Sequence, residues 1–190
     1  MALCFEWMIC VDTMTMPNLH ASQSPVTNLQ GRIVQINLSD GGVPKQSVPS
    51  VQINKEGLVG DRQQNLKHHG GPDRAVCLWS AEIIDMLQAE GHPIEPGAAG
   101  ENITVAGLEW QQLIPGIQLQ LGERVRLEIT DYAQPCRTIA RYFKLRRYGR
   151  ISQKRNPGMS RLYAKVLENG LVSVGDSITC PNHAILHGES

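Results

Sequence analysis

Two short stretches alternate apolar and polar residues without a break: Ile117, Leu119 and Leu121, then Val125, Leu127 and Ile129. Successive side chains on a strand point to opposite faces, so a strict two-residue period describes a strand with one covered and one wet face. Gly122-Glu123-Arg124 alone separates the two stretches. A link that short joins antiparallel neighbours, and the segment is a hairpin. An isolated hairpin is not stable in water, so the rest of the chain must add strands or layers to it.

The remaining sequence supplies them. Ile33, Val34, Ile36 and Leu38 make Gly31–Leu38 a strand, and Ser39-Asp40-Gly41-Gly42 turns the chain after it. Val48–Ile53, Ala75–Trp79 and Ile103–Val105 read as further strands, with a Gly- and His-rich loop over Gly57–Gly71. Arg161–Leu167 and Leu171–Thr179 flank Asn169-Gly170, a favoured two-residue turn, and read as a second hairpin. Ser80 caps a helix over Ala81–Glu90, with Glu82 in its first turn, Gly91 past its end and residues 83, 84 and 87 as its apolar face. Thr138–Leu145 reads as a second helix, with Ile139, Tyr142 and Phe143 on one side. Eighteen Gly and eleven Pro against two Phe fit many turns and short elements. The expected fold is mainly β with one or two helices, a single distorted β-barrel. No periodicity survives before Gly31. Residues 1–30 are therefore read as a poorly packed extension, 31–180 as the domain and 181–190 as a tail.

Lys plus Arg and Asp plus Glu are 18 each, so the chain is neutral overall. That argues against a general nucleic-acid coat and against a polybasic membrane binder. No apolar run reaches the roughly 18 residues that span a bilayer. Five Cys with no CxxC do not read as a disulfide framework or a zinc site, and free thiols point to the cytoplasm.

The charge is unevenly placed. Ten cations and no carboxylate lie between Arg137 and Lys165, and the run starts at Cys136. A thiol between a strand and a helix start, beside an Arg, has its thiolate stabilised by both neighbours. On residue chemistry alone, that reading of Cys136 stands level with a small buried hydrophobe. Cys77, in an apolar strand, reads as core. Two Gly-rich loops, Lys67-His68-His69-Gly70-Gly71-Pro72-Asp73-Arg74 and Gly97-Ala98-Ala99-Gly100-Glu101-Asn102, match neither common nucleotide fingerprint. Each runs into a strand, so both are expected to meet at one barrel mouth.

In order along the chain stand Gly60-Asp61-Arg62, His68-His69-Gly70-Gly71-Pro72-Asp73-Arg74-Ala75-Val76, Pro96-Gly97 with Gly100-Glu101-Asn102, Pro135-Cys136, and Gly170 with Val174-Gly175-Asp176. This set resembles the MOSC domain, named after the C-terminal part of molybdenum cofactor sulfurase, and within it the small stand-alone bacterial members. The resemblance implies a β-barrel-like fold and a pterin-bound molybdenum cofactor. Cys136 matches the cysteine that binds molybdenum or carries sulfur. Basic and small polar residues would hold the pterin phosphate, by position Lys45, Arg62, His69, Gly70, Gly71, Arg74, Gly100, Asn102, Arg137 and Arg161.

The resemblance implies two functions, and the basic run allows a third. The first is reduction of an N-hydroxylated small molecule at the molybdenum cofactor, with Cys136 as metal ligand and catalytic residue. Its electrons would come from a second protein, because no flavin, haem or iron–sulfur motif is present. The second is sulfur carriage by a Cys136 persulfide, loaded by a partner cysteine desulfurase that holds pyridoxal phosphate. The third is a non-enzymatic nucleic-acid module using residues 137–165, where Tyr142, Phe143 and Tyr148 lie among the cations.

Overall fold

A computed structural model describes residues 30–62 and 71–181. The expected extension over residues 1–30 lies outside this range except for Gln30, as do His68, His69, Gly70 and the tail beyond Pro181.

Seven strands close into a ring. They are β1 (Gln30–Leu38), β5 (Val76–Ser80), β6 (Ile103–Ala106), β7 (Gln118–Leu121), β8 (Val125–Ala133), β9 (Arg161–Glu168) and β11 (Ser177–Thr179). Their order around the barrel is β11-β7-β8-β9-β5-β6-β1, and β1 returns to β11 through Gln30↔Thr179, Gly31↔Ile178 and Arg32↔Ser177. Closure removes the exposed edges that an open sheet would carry. Short β2 (Gln46–Val48) adds to the outer part of β1, while β3 (Ser50–Asn54), β4 (Gly57–Leu58) and β10 (Gly170–Ser173) form a separate small sheet. The fold is thus mainly β and barrel-like, as the sequence implies.

The alternating pair is the hairpin β7–β8, in register from Gln118↔Glu128 to Leu121↔Val125. Leu119, Leu121, Val125, Leu127 and Ile129 are all buried. The one parallel pairing, β5 with β6, needs a crossover, and helix α1 (Ala81–Ala89) supplies it. Ser80 caps α1 by accepting from the Ile83 amide at 3.2 Å, and Ile83, Ile84 and Leu87 are its buried residues. No helix among the described residues is long and apolar enough to cross a membrane.

Three expectations are corrected. Asn169-Gly170 does not close a hairpin between β9 and β10. Both edges of β9 are already taken, by β8 and by β5, so the chain leaves the barrel and β10 pairs with β3. Val48–Ile53 is likewise two strands in two sheets, broken at Pro49, which has no amide to donate to a ladder. Thr138–Leu145 is not an α-helix. It belongs to a chain of 3-10 turns, Arg137–Tyr142, Lys144–Arg146 and Tyr148–Ile151. Phe143 is extended at φ −122° and Leu145 and Arg146 are left-handed at φ 53° and 56°, so no α-helical ladder can run through. The helix-end dipole expected at Cys136 is therefore not built.

Candidate functional site

β5 and β9 pair antiparallel with Cys77 opposite Tyr163. Alternation turns Cys77 away from the side taken by Val76 and Leu78, and with Ala133 and Tyr163 it forms a small cluster apart from the main core. This sheet face, rather than a barrel mouth, floors a cavity of about 340 Å³. Three pieces of chain wall it: the turn after β1 with Ser39, Val43 and Lys45, the loop before β6 with Ala99, Gly100 and Asn102, and the segment after β8 with Cys136, Thr138 and Ile139. Arg62, Arg74 and Arg161 complete the lining.

The first two walls are locked together. Lys45 N–H donates to Gly97 O at 3.0 Å. Gly97 has φ +86°, and a Cβ there would lie 2.8 Å from Lys45 O, so the approach requires glycine. Asp61 fastens the same wall from behind. Its side chain is 4% exposed and accepts from Lys45 Nζ at 2.6 Å, Asn102 Nδ2 at 2.7 Å and the Ser39 amide at 2.8 Å. Asn102 in turn accepts from the Cys77 amide at 3.1 Å and donates its own amide to Cys77 O at 2.7 Å. One carboxylate and one carboxamide thus set the position of a cation and of a thiol.

Arg161 opens β9 and is 6% exposed. Its Nη1 donates to Ala99 O and its Nη2 to Gln134 O at 3.5 Å, while its buried Nε has no hydrogen-bond partner. Burying a guanidinium proton unpaired costs free energy that an incoming anion can offset. Arg74 pairs with Asp131 at 3.1 Å and lies over the Tyr163 ring at 5.3 Å. Arg62 is exposed and pairs with Asp40 at 2.9 Å. The lining therefore carries Lys45, Arg62, Arg74 and Arg161 and no carboxylate of its own. The first three are paired with Asp61, Asp40 and Asp131 outside the lining, and Arg161, which forms no ion pair with the described residues, is the cation that favours an anion here.

The two thiols differ. Cys136 is half-buried at the start of the 3-10 turns. Cys77 is buried, and burial pushes its thiol up to about 11, although the Arg161 charge acts in the other direction. Burial likewise pushes the Tyr163 phenol up to about 12. Both groups keep their protons at neutral pH.

Glu101 stands behind this wall, fully buried. Its Oε1 accepts from the Gly97 amide at 2.5 Å, and its Oε2 has no partner. Burial raises its pKa above the usual carboxylate range, and the hydrogen bonds and Arg161 only partly oppose this. The folded state therefore holds this proton more tightly than the unfolded chain does. Stability linked to Glu101 is complete below the ordinary carboxylate pKa and is lost as pH rises toward the raised folded value. Glu101→Gln cannot ionise, so its stability should fall less than that of the wild type between about pH 4 and pH 7. Denaturant unfolding across that range checks this, and parallel pH profiles would count against it.

Of the residues expected from sequence, Lys45, Arg62, Arg74, Gly100, Asn102, Cys136 and Arg161 line this one cavity. Arg137 is exposed and is not among the lining residues. Gly71 borders a different, more open hollow with Asp73 and Asp131. His69 and Gly70 lie outside the described residues. Sequence reading missed Asp61 as a positioning group, and it missed Tyr163 and the cavity-facing side of Cys77. The run Val76-Cys77-Leu78-Trp79-Ser80 is buried at every position, so its period could not tell one face from the other.

Known proteins are similar to this chain in sequence and in fold. The family model of the MOSC domain matches residues 65–179. YflK of Bacillus subtilis is 34% identical over 139 residues, which is 72% of this chain and 62% of that protein. A Gibberella moniliformis protein named Reductase is 29% identical over 128 residues, 65% of this chain and 22% of that one. The chain thus spans about six tenths of the first relative and about a fifth of the second. The crystal structure of YiiM from Geobacillus stearothermophilus superposes with a TM-score of 0.63 at 23% identity, covering 82% of this chain and 77% of that one, a likeness of fold. With more than half of its length matched by the family model and the same barrel in a solved relative, the chain belongs to the MOSC domain family.

Proposed function

We propose that the cavity binds the molybdenum cofactor, with Cys136 as the protein's ligand to the metal, and that the protein reduces N-hydroxylated small molecules. The observation that carries this reading is the meeting of Cys136 with Arg161, whose buried Nε has no partner, in one cation-lined cavity. The donor set fits such a group. A thiolate is a soft ligand suited to a metal of this kind, and buried guanidinium and ammonium groups suit a phosphate. Gly100 has φ +87° and a Cβ there would lie 3.1 Å from Val43 Cγ1, so a side chain would crowd this wall.

Each residue then has a part to play. Arg161 and Lys45 bind and orient the anionic end, the first through its free Nε and the second from the anchor of Asp61. Asn102 keeps the Cys77 backbone and the Lys45 wall in register. Tyr163 Oη and Cys77 Sγ hold their protons on the cavity floor. The bound cofactor supplies the two-electron redox chemistry. Overall, R–NH–OH takes up two electrons and two protons, its N–O bond breaks, and R–NH2 and water leave. The electrons come from a second protein.

Elemental and pterin analysis of protein made in a host with an intact cofactor pathway tests this. Molybdenum and pterin in equal amounts support it, and cyanide-labile sulfur without molybdenum overturns it in favour of sulfur carriage. Arg161→Ala should weaken cofactor retention about ten- to a hundredfold, the cost of one or two charge-assisted hydrogen bonds. Arg147→Ala, at an exposed position, should retain it fully. Equal retention in both variants would remove Arg161 from the site.

A further inference from the structure

Beside the Cys136 wall lies positive charge that no carboxylate among the described residues balances. Between Asp131 and Glu168 the chain carries no carboxylate. Of the ten cations there, Arg161 lines the cavity, Arg150 pairs with Glu90 at 2.7 Å and Lys165 pairs with Glu128 at 2.7 Å. Arg137, Arg141, Lys144, Arg146, Arg147, Lys154 and Arg155 are exposed, and none forms an ion pair with the described residues. In a chain of zero net charge, this is a concentrated positive surface.

The turns beneath these cations are closed by their own hydrogen bonds, and one side chain ties a later residue back to them. Arg146 N–H donates to Phe143 O at 2.8 Å, Arg150 N–H to Arg147 O at 3.0 Å and Asn156 Nδ2 to Gly149 O at 3.3 Å. Arg141 donates to Val43 O, and Val43, Thr138 and Ile139 line the cavity, so the basic surface begins where the cavity wall ends. In its midst Leu145 is 73% exposed. It is held there by two successive left-handed residues, Leu145 at φ 53° and Arg146 at φ 56°. Side chains other than glycine seldom adopt that backbone, and such strain clusters where a surface is used. An exposed leucine flanked along the chain by Lys144, Arg146 and Arg147, none of which forms an ion pair with the described residues, has the make-up of a protein-docking face.

We propose that this face docks an acidic electron-carrier protein bearing a flavin or an iron–sulfur cluster. The proposal rests on the reading of the cavity as a reductase site. That reaction consumes two electrons per N–O bond broken, given up by one flavin carrier in two oxidation steps or by two cluster carriers that each lose one electron. Charge complementarity selects an acidic partner, and adjacency to the Cys136 wall brings the carrier to the cavity that needs its electrons. A single-stranded nucleic acid suits this face less. Phe143 is buried, Tyr142 and Tyr148 are half-buried against the core, and the Arg141 guanidinium already lies over the Tyr142 ring at 4.8 Å, so little aromatic face is left for stacking. One exposed leucine is also too little apolar area to seat a membrane.

The test titrates reduced flavodoxin, an acidic flavoprotein, into the full-length protein at low and at physiological ionic strength. Two charge reversals are compared with wild type: Arg146→Glu with Arg147→Glu, and separately Lys154→Glu with Arg155→Glu. Each pair should weaken flavodoxin binding about tenfold or more at low salt, and added salt should weaken wild-type binding steeply. Molybdenum content should equal that of wild type in both. An unchanged Kd in both variants overturns the proposal. So does binding of polyuridylate or of phosphatidylserine vesicles through these charges while flavodoxin fails to bind. Charge-dependent flavodoxin binding by a protein without molybdenum would sink the cofactor reading and support the docking face. Molybdenum without any charge dependence would do the reverse.

Discussion

Asp61→Ala is expected to cost the protein about 3–5 kcal/mol of stability, the usual consequence of breaking a buried ion pair from one side. The carboxylate accepts three hydrogen bonds, and the Lys45 ammonium it neutralises has a side chain only 9% exposed. Alanine leaves that charge, the Asn102 carboxamide and the Ser39 amide short of a partner at once. Asp61→Asn should cost less, because an amide oxygen still accepts from Asn102 and Ser39 but cannot balance Lys45. Lys45→Met in the Asp61→Ala background should recover a large part of the loss, since the stranded charge goes with it. Urea unfolding of the four proteins measures all three statements. A loss below about 1 kcal/mol for Asp61→Ala would mean that Lys45 swings to water and that the wall is not held from behind.

Cys136→Ser is expected to lower molybdenum content to background while shifting the melting temperature by no more than about 1–2 °C. Serine nearly matches the shape of cysteine, and the half-buried position opens no cavity in the core. What is lost is a soft anionic ligand, because a hydroxyl does not ionise at neutral pH. Cys77→Ser gives the contrast. It places a hydroxyl in the cluster with Ala133 and Tyr163, so it should destabilise the fold by about 1–3 kcal/mol and keep the metal. If the two outcomes are exchanged, Cys77 is the ligand and Cys136 is its neighbour. Metal analysis with thermal melting of both variants decides this.

Local rules read well where one face is buried and the other wet. The β7–β8 hairpin and the Ser80 cap of α1 followed from period and capping chemistry alone. They failed where a long-range partner decides. Asn169-Gly170 is a good hairpin turn by composition, yet β9 had no free edge for β10 to take. The apolar spacing at Ile139 and Phe143 suits a helix, but left-handed Leu145 and Arg146 break it into tighter turns. At the site, charge in the sequence marked Cys136 and Arg161. It could not show that Arg137, next to the cysteine, faces solvent while Arg161, far along the chain, is buried. Nor could it show Asp61 as the anchor, because its partners, Ser39 and Lys45 in the turn after β1 and Asn102 before β6, lie 22, 16 and 41 residues away along the chain.

The ring closes on Gln30↔Thr179, so the first and last barrel strands are hydrogen-bonded neighbours. Polypeptide entering and leaving the barrel therefore does so from adjacent points. A unit with such ends can be spliced into a loop of a larger polypeptide, or joined end to end and reopened elsewhere, without pulling on the rest of the sheet. The cavity is walled by loops from the middle of the chain, so either rearrangement would leave its lining covalently intact. Adjacent ends of this kind let a barrel be carried as one part of a longer polypeptide without strain on its sheet.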